Sequence, residues 1–394
     1  MDLSGQLEAL TANAAEVIPV PELEAKLRTG RPLRVKLGLD PTAKDVTLGW
    51  AVVLRKLRQF QDHGHTAVLI LGDFTAQIGD PSGKDETRPM LTKDEVDAHA
   101  RQVLEQFDLI VSSDRLEIRR NSEWLESLGV AGLLELSTHH TVARMLERND
   151  FAERFADGSA ISIREFLYPL LQGYDSVAVE ADVELGGTDQ HFNLLVGRHL
   201  QRVYGQEPQV VMEMNLLEGT DGVQKMSQSL GNYIAITEPS DDMFGKLMRV
   251  PDALMEKYFR LTTDLSDEAI ADALAQPPQE AKRRLAESVV RLYHGERAAL
   301  DARAHFDRVF KEHQLPEEIA NVEIPAGAMK DGRIDVPSLL KSLGFAKTTS
   351  DARRLIEQGG VSIDGAPIDA NAIDIDAVRG KVLRVGKRHF ARLR

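Results

Sequence analysis

The chain has 394 residues, 42% of them hydrophobic and 28% charged, a length suited to two or three domains and a composition suited to a substantial core. Cysteine is absent, which excludes disulfides and thiolate metal sites and fits a reducing cytoplasm. The opening Met-Asp-Leu-Ser-Gly-Gln does not read as a secretory signal, and no apolar run reaches the roughly 20 residues of a membrane helix.

Residues 1–30 read as a helical lead-in, with Leu7, Leu10 and Val17 at helical spacing. Leu33–Leu39 alternates like a strand, Ala51–His63 has helical periodicity, and Ala67–Leu71 is an apolar run that suits a buried parallel strand. Strand, helix, strand in that order predicts a right-handed βαβ unit and a doubly wound sheet. Phosphate-binding loops belong at the carboxyl ends of such strands. Two segments fall there: Asp40–Trp50, within Gly38-Leu-Asp40-Pro-Thr42-Ala-Lys-Asp-Val-Thr47-Leu-Gly49-Trp50, and Gly72–Lys84, which ends in Gly79-Asp80-Pro-Ser-Gly83-Lys84 with Arg88 beyond it. His63-Gly-His65 lies outside that turn and reads as the end of a helix.

Residues 92–165 are helical in pattern, with a break at Arg120–Trp124. Tyr168–Tyr174 reads as helix, which sets Tyr168, Gln172 and Asp175 on one face at spacings of four and three. The glycine turn Gly186-Gly187-Thr188-Asp189-Gln190 follows, then a strand at Gln209–Met212 and the polar stretch Lys225-Met-Ser227-Gln228-Ser-Leu-Gly-Asn-Tyr233. Glu238 to about Val322 is helical, punctuated by Pro251, Pro277 and Pro278, and Ile324–Gly332 is the best linker. The remainder predicts helices at Val336–Leu343 and Ser350–Gln358, a strand and tight turn from Val361, and strands at Val382–Val385 and His389–Leu393. There is no metal-ligand spacing.

Net charge is −14, yet the tail carries Arg379, Lys381, Arg384, Lys387, Arg388, Arg392 and Arg394 with no acidic residue. A local basic patch on an acidic body is the footprint of phosphate binding. Ser350–Gly365 resembles the RNA-binding module named after ribosomal small-subunit protein S-four, with Arg353 and Arg354 on a helix facing RNA.

The stretches at Gly38–Trp50 and Lys225–Tyr233 resemble the two nucleotide-gripping signatures of class I aminoacyl-tRNA synthetases, and the full set of motifs resembles the bacterial tyrosyl-tRNA synthetases from about residue 32 onward. Thr47 and Trp50 stand where that first signature carries histidines, and Gln228 stands where the second carries its second lysine. The resemblance implies a Rossmann-like catalytic domain with a helical insertion (1–222), a helical anticodon-binding domain behind the second signature (223–323) and an S-four-like domain (334–394). It implies Thr42, Thr47, Lys84, Arg88 and Lys225 around the phosphates, and Gly49, Trp50, Asp189, Ser227 and Gln228 around the rest of ATP. Lys36, Asp40, Asp80, Tyr168, Gln172, Asp175 and Gln190 fall to tyrosine, and Arg353, Arg354, Lys387 and Arg388 to RNA. ATP enters as a substrate with Mg2+, without a prosthetic group, and the implied partners are L-tyrosine, tRNA(Tyr) and a second copy of the chain, in the cytoplasm and away from membranes. Two readings stay open: a working ligase that tolerates the altered signatures, and a relative that binds tyrosine and RNA in a regulatory role. A tryptophan-specific relative is disfavoured by Asp175 and by Asp40-Pro-Thr42-Ala.

Overall fold

The computed structural model describes residues 2–80, 92–308, 319–330, 332–368, 370–375, 378–386 and 389–394. The chain opens with α1 (Leu3–Thr11), β1 (Ala14–Ile18), α2 (Val20–Arg28), β2 (Arg34–Leu39), α3 (Leu48–Asp62), β3 (Thr66–Leu71), α4 (Lys93–Phe107) and β4 (Leu116–Arg120). It continues through α5 (Ser122–Thr138), α6 (Val142–Met145), α7 (Asn149–Ala156), α8 (Ile163–Ala178), β5 (Val183–Gly187), α9 (His191–Val203) and β6 (Val210–Met214). Six strands form one sheet in the order β1-β6-β5-β2-β3-β4. All neighbours are parallel except β1, which runs antiparallel on the edge against β6. The predicted βαβ unit is β2-α3-β3, and the sheet is Rossmann-like and doubly wound. The chain builds outward from β2 to β4 in one direction and from β5 to β6 in the other. The strand order therefore switches between β2 and β5, and a crevice opens beyond their carboxyl ends.

Three strands of this sheet depart from the sequence expectation. The lead-in is helical only in part, because Ala14–Ile18 pairs along β6 and the five-residue edge strand is too short to show a period. β4 lies inside the stretch read as helical, its alternation hidden by three charged residues among five. β5 includes Glu184, a carboxylate in the middle of a buried strand.

Glu184 lies beside Lys36 across the β2–β5 ladder. The Lys36 ammonium donates to Glu184 Oε1 at 2.7 Å, Ser176 Oγ at 2.7 Å and the Gln172 carbonyl at 3.1 Å, so all three of its protons have protein acceptors. The two charged side chains are 0% and 1% exposed. Ser176 and Gln209 donate to the other Glu184 oxygen. A Cβ at Gly197 would lie 2.8 Å from Gln209 Nε2 and 2.9 Å from Ser176 Oγ, so α9 can cover this cluster only with glycine there.

Beyond β6 come α10 (Ser240–Leu247), α11 (Met255–Thr262), α12 (Asp267–Leu274) and α13 (Pro278–Phe306), as the helical pattern predicts. α13 is interrupted at Gly295, whose φ of 86° and ψ of 169° are open to glycine. The chain divides into two compact units, Met1–Ala299 and Leu300–Arg394. The second unit contains β7 (Asn321–Val322), β8 (Met329–Lys330), β9 (Arg333–Asp335), α14 (Val336–Ser342), α15 (Thr349–Glu357), β10 (Val361–Ile363), β11 (Ala366–Pro367), β12 (Ala372–Asp374), β13 (Val382–Val385) and β14 (His389–Leu393). Ile324–Gly332 is more than a linker: Ala328 is buried in this unit's core, Ile324 packs against it, and β8 pairs with β9. Among the described residues no helix is long and apolar enough to cross a membrane.

Removing one partner of a buried ion pair strands the other charge, which costs about 3–5 kcal/mol. Lys36→Met is therefore expected to lower the unfolding free energy by about that amount in urea titrations, and Lys36→Met with Glu184→Leu to recover most of it. Equal loss in the single and double variants would show that the pair does not hold the strands.

Candidate active site

The crevice beyond β2 and β5 is lined from three sides. Asp40 follows β2, Gly72 and Thr75 follow β3, and one face of α8 presents Tyr168, Gln172 and Asp175. These side chains form one chain of hydrogen bonds. Tyr168 donates its hydroxyl to Asp40 Oδ2 at 2.8 Å, and Thr75 donates to Asp40 Oδ1 at 2.7 Å. Asn121 donates to Thr75 Oγ1 at 3.0 Å and to Asp175 Oδ2 at 3.3 Å, while Trp124 Nε1 donates to Asp175 Oδ1 at 2.8 Å. Gly72 is obligatory here, because a Cβ would fall 1.9 Å from Asp40 Oδ1.

Burial dominates the charges. It pushes the Asp175 carboxyl up to about 7, against the pull of the Lys36 charge and of the Trp124 and Asn121 donors. It pushes Asp40 up to about 7 as well, aided by repulsion from Asp80 and Asp175. Burial and the nearby Asp40 raise the Tyr168 phenol, so that hydroxyl stays protonated. Lys36, expected among the ligand contacts, lies beneath this group with its donors committed to Glu184, Ser176 and Gln172, and acts as a floor.

A second polar cluster adjoins Gln172. Asn193, at the start of α9, donates to the carbonyl oxygens of Gln172 and Gln190, each at 3.0 Å. Gln190 donates to Asp80 Oδ2 at 3.0 Å. Arg148 donates to Asn193 Oδ1 at 3.3 Å and lies 4.0 Å from Asp80 Oδ1.

The two signature segments lie zipped together. Leu48 N donates to the Ile234 carbonyl and Ile236 N to the Val46 carbonyl, each at 2.9 Å. Thr47 is buried and caps α3 by accepting from Trp50 N at 3.3 Å. Gln228 donates to the Asp45 carbonyl, a clasp between the segments. Gly49 N donates to Met226 Sδ at 3.3 Å, Ser227 Oγ pairs with Ser229 Oγ, and Trp50 lies partly exposed at the helix start. Lys225 reaches Asp189 Oδ2 at 2.8 Å, so the second signature meets the glycine turn after β5. Thr42 is half-buried in the loop after Asp40. The N-terminus of α3 lies at this junction of the two signatures, and its N–H groups suit an anion.

The structure brings Lys36, Asp40, Asp80, Tyr168, Gln172, Asp175 and Gln190 to one end of the crevice, and Thr47, Gly49, Asp189, Lys225 and Gln228 to the other. Arg353 and Arg354 are exposed on α15 of the second unit. Lys84, Arg88, Lys387 and Arg388 lie outside the described residues. Sequence reasoning missed Thr75, Asn121, Trp124, Arg148 and Asn193; Asn121 and Trp124 were visible only as a helix break. His65 ends the α3 turn as predicted, accepting from Leu33 N, and burial lowers it to about 4. Glu16, His191 and Glu213, from β1, α9 and β6, bring their ligand atoms within 4.8 Å of one another, a donor set that residue spacing alone could not reveal.

A family model of class I tRNA synthetases (W and Y) matches residues 28–311, and one of the S4 domain matches residues 336–373. The tyrosine–tRNA ligase of Moorella thermoacetica is 51% identical over 402 residues, spanning 100% of this chain and 96% of that protein. That of Thermotoga maritima is 50% identical over 394 residues, spanning 98% and 97%. Among solved structures, a tyrosyl-tRNA synthetase from Archaeoglobus fulgidus complexed with L-tyrosine matches with a TM-score of 0.63 at 22% identity, covering 76% of this chain and 100% of that one. At that identity the likeness is one of fold.

The raised carboxyls carry a sign. Folded Asp175 keeps its proton to about pH 7, whereas an unfolded aspartate loses it near pH 4. Its contribution to stability is full below about pH 4 and is lost as the pH rises through about 7. Asp175→Asn removes that titration, so wild type should lose stability relative to the variant across this window in urea titrations at stepped pH. A pH-independent difference would contradict the assignment.

Proposed function

This chain belongs to the class I tRNA synthetases for tryptophan and tyrosine, and we propose that it is the tyrosine ligase of that family, activating L-tyrosine with ATP and passing it to tRNA(Tyr). The observation that carries this reading is Asp175. The Asp175 carboxyl, buried and held by Trp124 and Asn121, suits the phenol hydroxyl of tyrosine, for which phenylalanine has no counterpart. A site built around a hydroxyl rejects the analogue that lacks it, because its buried polar groups are then left unpaired; rejection of phenylalanine by this enzyme type is the standard example of that rule.

In the first step a tyrosine carboxylate oxygen attacks the α-phosphorus of ATP, and the bond to pyrophosphate breaks. In the second, a hydroxyl of the terminal ribose of tRNA attacks the activated carbonyl and AMP leaves. Such chemistry depends on positioning and on stabilising charge more than on covalent help. Tyr168, Gln172 and Asp80 supply acceptors for the ammonium, and Gln190 lies beside the carboxylate. Asp189 suits the ribose hydroxyls; Lys225, Thr42, Thr47 and the N-terminus of α3 suit the phosphates, with Lys84 and Arg88 assigned there by resemblance. Mg2+ enters with ATP.

Thr47 fills its place with a neutral donor that also caps α3, and Gln228 with one that also clasps Asp45; both arrangements support a working site. The binding-only alternative has no observation of its own. Residues 1–222 take the catalytic role, 223–323 the anticodon and 334–394 a further RNA contact through Arg353 and Arg354. Val130, Leu134, Val142, Phe155 and Ile163 are exposed on α5 to α8, an apolar surface that supports pairing of two copies through the insertion. The protein works in the cytoplasm.

Labelled pyrophosphate is expected to exchange into ATP with tyrosine, and far more weakly with phenylalanine or tryptophan. Arg353→Ala with Arg354→Ala should raise the KM for tRNA in charging while leaving exchange unchanged. Exchange driven equally by phenylalanine, or none with tyrosine, would end this reading.

A further inference from the structure

The polar cluster beside Gln172 contains three amides, and an amide can face either way. Its two ends cannot. Arg148 has donors only, and an ionised Asp80 has acceptors only. Arg148 points a donor at Asn193 Oδ1, so Asn193 turns its NH2 group inward, and that group meets the carbonyl oxygens of Gln172 and Gln190. Gln190, held by its oxygen, turns its own NH2 to Asp80. Reversing Asn193 or Gln190 would set donor against donor, or oxygen against oxygen, at each of its contacts, and reversing Gln172 would set donor against donor at Asn193. One orientation of the three satisfies both ends.

Arg148 is itself fixed. Its Nε lies 2.7 Å from Asp150, and its guanidinium sits 5.0 Å over the Phe151 ring. Asn193 is 1% exposed and Arg148 7%, so water does not compete for these bonds.

Resting on the tyrosine-ligase reading, we propose that Arg148 and Asn193 are positioning residues that set the hydrogen-bond polarity of the amino-acid subsite, so that it presents oxygens to the substrate ammonium. An ammonium is a donor-only group and needs acceptors alone around it. The pinned Gln172 oxygen keeps a second lone pair for it. Tyr168, one turn earlier on the same face of α8, sends its proton to Asp40 and keeps its oxygen as a further acceptor. With the relay reversed, NH2 groups would face the positive charge.

The test compares two ligands that differ by the ammonium: tyrosine and 3-(4-hydroxyphenyl)propionate. Binding of each is measured by calorimetry to wild type, to Asn193→Asp, which cannot donate to either glutamine, and to Arg148→Gln, whose neutral amide can flip. In each variant the Kd for tyrosine should rise about tenfold or more, the scale of hydrogen bonds to a charged group, while that for the propionate changes by less than about twofold. If one variant fails to fold, the other tests the relay from its opposite end. Equal weakening of both ligands would overturn the proposal in favour of a merely structural role, and so would no change in either. Failure of wild type to bind tyrosine at all would instead overturn the functional reading, a result told apart because it precedes any substitution.

Discussion

The amino-acid end of the crevice depends on one buried charge, the Lys36 ammonium wedged between β2, β5 and α8. Asp40, Asp80, Asp175 and Glu184 gather near the switch point of the sheet, where burial penalises the Asp40 and Asp175 carboxylates. Lys36 neutralises Glu184 directly and draws the Asp175 carboxyl down against that penalty. It also bonds the Gln172 carbonyl and Ser176, two residues of α8, so the helix bearing Tyr168, Gln172 and Asp175 is tied to the central strands through the same atom. A charge with all its protons bonded to protein cannot also serve a ligand. Position 36 therefore contributes by holding the pocket's acceptors in place.

The parts of the fold legible in the sequence are those whose period no other demand disturbs. β2, α3, β3 and α8 carry clean patterns, and the C-terminal unit shows its helices, turn and last strands almost at their ends. The strands that escaped notice are short or carry charge. Glu184 illustrates the difficulty: a glutamate in a strand reads as solvent-facing until Lys36, 148 positions earlier, is seen to be its partner.

The site follows the same division. Residues within one motif, such as Tyr168, Gln172 and Asp175, were readable because a single helix sets their spacing. Asn121 and Trp124 reach Asp175 from the start of α5, and Arg148 reaches Asn193 from the loop before α7. Such contacts depend on where elements pack, which no local spacing records. Gly72 shows the converse, since the Asp40 carboxylate that forbids a side chain there lies 32 positions away.

The departures at positions 47 and 228 take on meaning once both signatures are in place. Thr47 caps the helix whose N-terminus faces the nucleotide groove, and that helix end supplies oriented N–H dipoles without any side-chain charge. Gln228 joins the second signature to the first through a main-chain carbonyl, which needs a neutral amide as readily as an ammonium. Lys225 is then the charged side chain that the second signature retains. In this structure Lys225 pairs with Asp189, the residue assigned to the ribose. One ion pair thus connects the two ends of the nucleotide groove. Breaking that exposed pair costs little, because a solvent-exposed ion pair contributes only about 0–1 kcal/mol. The amino-acid end, by contrast, is pre-set by buried bonds. Preorganisation is concentrated around Asp40 and Asp175, and adjustability at Lys225 and Asp189.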